Sequence, residues 1–181
     1  MADELNRRAI VQQICGAMAA VAKAGIVHRD LAAHNVLVFA LQPICVKITD
    51  FGMSVNVQRP TRYDVADIAR HESVDHVISV RWAPPEILSA TAAWAAPWSE
   101  KSDVWSFGVT VWQVYSCGEV PYTLSVADNS VRSRVLGRQL LPCPQACPPE
   151  MMTFMGMCWS FEAADRPDFN GLKAVLDSLL M

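Results

Sequence analysis

Charge is scarce in this sequence. Lys, Arg, Asp and Glu make up 18% of its 181 residues and leave a net charge of −3. There is no basic surplus with which to hold nucleic acid or an anionic lipid surface, so neither is expected as a partner. A long apolar run is also missing. The most hydrophobic stretch, VWSFGVTVWQVYSC (residues 104–117), is too short to cross a bilayer and follows Asp103 directly. It reads as a buried helix, and no membrane span is expected. The opening MADELNRR lacks the apolar segment of a secretion signal, so a reducing, cytoplasmic compartment is expected. The six cysteines then read as reduced thiols. CPQAC (143–147) has the look of half a metal site, yet no second pair or His cluster completes the four ligands that structural zinc takes.

Apolar residues are plentiful. At 52% hydrophobic and a mean hydropathy of +0.19, the chain has material for one domain with a real core. It is somewhat apolar for a small independent domain, so some apolar surface is expected to face a partner. No internal repeat or low-complexity linker divides it. Leu5, Ile10, Ile14, Met18 and Val21 recur at helical spacing and predict a helix over about 3–24, stopped at Gly25. VLVF (36–39) and ICVKI (44–48), separated by ALQP, predict a hairpin. The polar stretch from Asp50 to about Ser79 has no period and reads as a long surface loop. Ser102 is the expected cap of a central helix running to Cys117, ended by Gly118. Further helices are expected at Ser125–Leu136, in CPPEMMTFMGMCW (147–159) and in DFNGLKAVLDSLL (168–180). Trp82, Trp105, Trp112 and Trp159 read as core, and Trp94 and Trp98 as partly exposed.

Between the first helix and the hairpin, IVHRDLAAHNVLVF (26–39) interrupts an apolar segment with His, Arg, Asp and Asn. Asp30, the amide of Asn35 and a second carboxylate at Asp50 form an all-oxygen set, the ligand chemistry of a hard cation such as magnesium. The hairpin between Asn35 and Asp50 would fold those two towards one point. Asp30 would then be free to take a proton from an attacking hydroxyl. Phosphoryl transfer divides its labour in this way, with metal against phosphate charge and a base on the nucleophile.

HRDLAAHN (28–35), DFG (50–52), RWAPPE (81–86), SDVWSFG (102–108) and the late CW…DRP occur in the order found in eukaryotic protein kinases, which the chain resembles over nearly its whole length. The resemblance implies a mainly α fold, a kinase-like C-terminal lobe whose small β-hairpin carries the catalytic and metal-binding loops. It implies one partial kinase domain over residues 1–181, with a catalytic loop at 28–35 and an activation segment at 50–86. Asp30 takes the place of the catalytic base, and Asn35 and Asp50 those of the residues holding Mg2+ (or Mn2+) with ATP. Leu37 falls where such kinases put the apolar floor under adenine. His28 and Phe51 match a packed pair, Asp103 the anchor of the catalytic loop, and Glu86 and Arg166 a buried ion pair. Arg29 matches the partner of an activation-loop phosphate, for which Tyr63 is the candidate acceptor.

Ala32 stands two positions after Asp30, where kinases acting on Ser or Thr usually carry Lys, and HRDLAAHN is similar to the HRDLAARN of receptor-type tyrosine kinases. A protein substrate with a tyrosine is therefore implied. A Ser/Thr or dual-specificity kinase, or a lobe that docks partners without catalysis, remain the alternatives. The chain departs from the pattern at His34, in place of Arg beside the reacting groups, and at Pro84, in place of Ala. Within these 181 residues there is no glycine-rich loop and no strand lysine of the VAIK type. The N-terminal lobe is thus an expected partner, and the chain alone is expected to have little or no activity.

Overall fold

The computed structural model describes residues 2–58, 78–91 and 96–179. Helix α1 (Ala2–Lys23) buries Val11, Ile14, Cys15 and Met18 on one stripe and leaves Leu5 outside. It stops at Gly25, whose φ of +74° suits glycine and where a Cβ would meet the Gln58 side chain at 2.6 Å. The chain then enters a two-residue strand, β1 (Ile26–Val27).

Strands β2 (Val36–Leu41) and β3 (Ile44–Ile48) form the expected antiparallel hairpin, with Val36 opposite Ile48 and Val38 opposite Val46. Gln13 of α1 secures it. Its amide donates to the Ile44 carbonyl at 2.8 Å and accepts from the Val46 N–H at 2.9 Å. A second pairing joins β1 to β4 (Val55–Asn56), and two residues per strand are too few to show a period in sequence.

After the short helix α2 (Pro85–Leu88), α3 (Glu100–Tyr115) runs through the centre. From Ser102 to Tyr115 every residue except Val114 is buried, as an all-round apolar helix requires. Its start corrects the sequence reading. Ser99 is the N-cap, and Ser102 stands one turn inside, where its hydroxyl accepts from the Ser99 N–H at 3.0 Å and donates to the Ser99 carbonyl at 2.6 Å. The helix also ends at Tyr115, short of Cys117, because Cys117 and Gly118 turn into the left-handed region.

Helix α4 (Asp128–Leu136) begins later than Ser125. The reason is Arg81, whose guanidinium donates to the carbonyls of Pro121, Thr123 and Val126 at 2.6–2.9 Å and holds residues 121–126 as a loop. Helices α5 (Pro149–Cys158) and α6 (Phe169–Ser178) complete the fold, the latter capped by Asp168, which accepts from the Gly171 N–H at 2.7 Å. Among the described residues no helix is long and apolar enough to cross a membrane.

The closest approach in the core is at Gly108 of α3. A Cβ there would stand 2.7 Å from both Cys158 Cβ and Trp159 Nε1. Neither neighbour is a free side-chain end, so Gly108→Ala is expected to destabilise the fold by about 1–3 kcal/mol. Urea unfolding checks this; an unchanged midpoint would show that α5 yields without strain.

Candidate active site

The polar segment between β1 and β2 is held from below by one carboxylate. Asp103, in the first turn of α3, accepts the His28 N–H at 2.7 Å and the Arg29 N–H at 2.9 Å. Those bonds fix Arg29 at φ +71°, a conformation that a non-glycine residue adopts only when its surroundings impose it. Burial pushes the Asp103 carboxyl up to about 7, against the pull of the two N–H groups.

Above that anchor, Asp30 and Asn35 face each other. The Asn35 amide donates to the Asp30 carbonyl at 2.7 Å and to Asp30 Oδ2 at 3.1 Å, across a single 3-10 turn (Ala33–Asn35). The Asn35 carbonyl in turn accepts from the Thr49 N–H at 2.9 Å and from its hydroxyl at 3.2 Å. Thr49 precedes Asp50, so the hairpin brings Asp50 beside Asn35. Asp50 is exposed, with φ +59°, and its Oδ1 accepts from the Gly52 N–H at 3.2 Å.

His28 ties the same two loops. Its Nε2 donates to the Thr49 carbonyl at 3.0 Å, which sets the tautomer, and its ring lies 4.8 Å from that of Phe51. Burial holds the imidazole below its ordinary value of 6.5, although the Thr49 bond, Asp30 and Asp50 pull the other way. Neutral His28 is therefore the folded form. Its contribution to stability is present above about pH 6.5 and is lost as pH falls through the lower folded value. Asp103 works in the opposite sense, since its raised pKa favours folding at the acid side and that gain is lost as pH rises towards 7. Comparison with His28→Gln, which keeps the Asp103 bonds and a donor for Thr49, isolates the imidazole. The stability gap between the two proteins is expected to narrow on acidification below about pH 6.5, and a gap independent of pH would refute it.

The donors suit a hard cation. Asn35 spends its nitrogen on Asp30, leaving Oδ1 for another partner, and exposed Asp50 has Oδ2 to spare. No group of three His, Cys, Asp or Glu side chains that would cage a metal exists among the described residues. Two protein oxygens, with phosphate and water for the rest, is the way Mg2+ is commonly held.

The remaining sequence candidates are placed as follows. Leu37 is exposed on β2. Glu86 and Arg166 form a two-pronged pair at 2.7 and 2.8 Å. His34 is exposed and stands edge-on to Trp82 at 5.6 Å, with no bond to Asp30. Trp82 is only half-buried, unlike the core position read for it. Tyr63 and Trp94 lie outside the described residues.

Three residues of the site carry no sequence signal. Ser79, read only as the end of a polar loop, donates its hydroxyl to Asp30 Oδ1 at 2.7 Å. Gln113 of α3 accepts from the Ala33 N–H at 3.2 Å and from Trp82 Nε1 at 2.8 Å, linking the loop at 28–35 to the segment before α2. Trp98 lies under the Arg29 guanidinium at 4.9 Å, while Arg29 Nε is buried with no hydrogen-bond partner among the described residues.

Known proteins share this arrangement of sequence. The pattern of the family described as protein tyrosine and serine/threonine kinase matches residues 3–176. The chain is 30% identical over 178 residues to macrophage colony-stimulating factor 1 receptor of Danio rerio, covering 98% of this chain and 17% of that protein. It is 35% identical over 172 residues to ephrin type-A receptor 1 of Homo sapiens, covering 95% of this chain and 16% of that protein. It is 34% identical over 168 residues to tyrosine-protein kinase csk-1 of Caenorhabditis elegans, covering 91% of this chain and 28% of that protein. The chain thus spans under a third of the length of each. With a match over almost every residue, and the five motifs in order, the chain belongs to the protein tyrosine and serine/threonine kinase family.

Proposed function

We propose that this chain carries the acceptor side of an ATP-dependent phosphoryl transfer to protein tyrosine. Asp30 is the base, a carboxylate aimed by the Asn35 amide at one oxygen and the Ser79 hydroxyl at the other. It orients the tyrosine hydroxyl and takes its proton as the oxygen attacks the terminal phosphorus, whose bond to the bridging oxygen breaks and releases ADP. Asn35 Oδ1 and Asp50 would hold Mg2+ with the nucleotide, and the ion would supply charge that offsets the phosphate oxygens. Exposed Leu37 offers an apolar surface to adenine. Arg29, whose guanidinium lies over the Trp98 ring, is the seat for an activation-loop phosphate. The closing surface over the nucleotide belongs to an N-terminal kinase lobe, and the apolar residues exposed on β2 suit contact with it.

The observation that supports this reading is the chain of bonds from Asp30 through Asn35 to Thr49, the residue before Asp50. The test joins the chain to the nucleotide-covering lobe of a tyrosine kinase and supplies Mg-ATP and a tyrosine peptide. Phosphotyrosine is expected from the joined protein, with at least about 10²-fold less from the chain alone. A joined protein that binds Mg-ATP and yields no phosphopeptide would overturn the reading.

A further inference from the structure

A cavity of about 280 Å³ lies between α1, the β2–β3 hairpin and the end of α3. That is close to the smallest pockets that hold organic ligands, roughly 300 Å³. Its wall is built from Ile10 and Ile14 of α1, Val36 and Val46 of the hairpin and Val114 of α3. Strand alternation sends Leu37, the proposed adenine contact, to the opposite face of β2, so the cavity is separate from the nucleotide site. Two polar side chains of the wall are committed within the fold. The Thr110 hydroxyl donates to the Ser106 carbonyl at 2.9 Å, and the Gln113 amide donates to the Glu119 carbonyl while accepting from Ala33 and Trp82. The charged residue of the wall is Arg7, which is half-buried. Its guanidinium donates to Cys117 Sγ at 3.5 Å, a weak acceptor, and lies 6.0 Å from the Tyr115 ring. A guanidinium has five N–H donors, and among the described residues this one meets no carboxylate.

We propose that this cavity is a binding site for a free medium-chain carboxylate, whose alkyl chain fills the apolar interior and whose headgroup takes the Arg7 guanidinium in place of the Cys117 sulfur. Both halves of the ligand follow from the wall. Branched aliphatic side chains on three elements gain from an alkyl chain that leaves water, by about fourfold in affinity per buried CH2 group. They offer nothing to a polar group, which would lose its hydration there without a partner. A cation whose partners are a sulfur and a ring calls for an anion, and a carboxylate matches the paired donors of a guanidinium. One charged end at Arg7 and an uncharged tail between α1 and the hairpin is therefore the complement of this cavity. Exposed Cys117, bonded to Arg7 and lining the same space, marks the headgroup end.

The experiment titrates the 181-residue chain with hexanoate, octanoate and octanol in a calorimeter. Octanoate is expected to bind at a single site, tighter than hexanoate by about fourfold per added CH2 group. Arg7→Met is expected to weaken octanoate by about tenfold, the loss of a charge-assisted bond, and to leave octanol unchanged. Damage to the fold would instead weaken both. Val114→Phe, which puts a larger ring into the same space, is expected to weaken both ligands. Octanoate is also expected to slow labelling of Cys117 by N-ethylmaleimide and to leave that of Cys143, also exposed, as it was. Equal affinities for hexanoate and octanoate would overturn the proposal, as would equal losses of octanoate and octanol in Arg7→Met, or octanoate binding unchanged in Val114→Phe. So would protection of Cys143 in place of Cys117. Self-association of the chain that shuts octanoate out would give the cavity to a second copy and overturn it too.

Discussion

Asp30→Asn in the lobe-joined protein is expected to lower phosphotransfer by about 10²–10⁴-fold, the contribution of a positioned general base. The substitution is a sharp test because the pocket tolerates it. Asp30 Oδ2 accepts from the Asn35 amide and Oδ1 from Ser79. An asparagine can keep its oxygen towards Asn35 and turn its nitrogen towards Ser79, whose hydroxyl is able to accept as well as donate. Shape and hydrogen bonds survive, and the capacity to hold a proton is lost. Binding of Mg-ATP, which the proposed function assigns to Asn35 and Asp50, is expected to change little, so the loss falls on kcat. Ser79→Ala provides the contrast. It frees one oxygen of Asp30 without removing the base, and a smaller loss is expected. Equal rates for Asp30→Asn and the parent in a peptide assay would remove Asp30 from the chemistry, whatever its geometry.

The difference between Asp30 and Ser79 marks what the sequence could and could not disclose. Asp30, Asn35 and Asp50 were legible because two lie five residues apart in one loop and the third follows a hairpin with clear alternation. Local pattern was enough to bring them together. The same holds for α1, with its stripe and its terminal glycine, and for α3, whose apolar faces on every side meant burial. Ser79, Gln113 and Trp98 meet the loop at 28–35 across separations of 49, 80 and 69 residues, and nothing in their neighbourhood in sequence distinguishes them from ordinary loop and helix residues. The errors at helix starts have the same origin. Ser99 and Ser102 are equivalent candidates by composition, and only the hydrogen bonds between them decide which one stands outside the helix. The late start of α4 was set by Arg81, a residue some forty positions away.

Arg166 is where a single change should have the largest effect on folding. Its side chain is fully buried, and its guanidinium donates to five acceptors: both Glu86 carboxylate oxygens, and the carbonyls of Ser160, Lys101 and Phe161. Lys101 returns a bond to the Arg166 carbonyl. The group also lies 5.1 Å over the Trp105 ring. These contacts fasten the turn before α6 to α2 and to the start of α3, three pieces that are distant in sequence. Arg166→Met leaves Glu86 and three carbonyls without their donor, and a broken buried pair typically costs about 3–5 kcal/mol. That is a large part of the roughly 5–15 kcal/mol by which a domain is stable. Arg166→Lys is expected to be nearly as damaging, since three donors on one nitrogen cannot reach acceptors arranged for a planar fork. Replacing both partners, Arg166→Met with Glu86→Met, should cost less than the two single changes added, because no charge is then left buried alone. Urea unfolding of the four variants measures this directly. Additive losses would mean that the two side chains serve the fold separately, and an Arg166→Met midpoint equal to the parent's would mean that the buried cation does not hold these three pieces together.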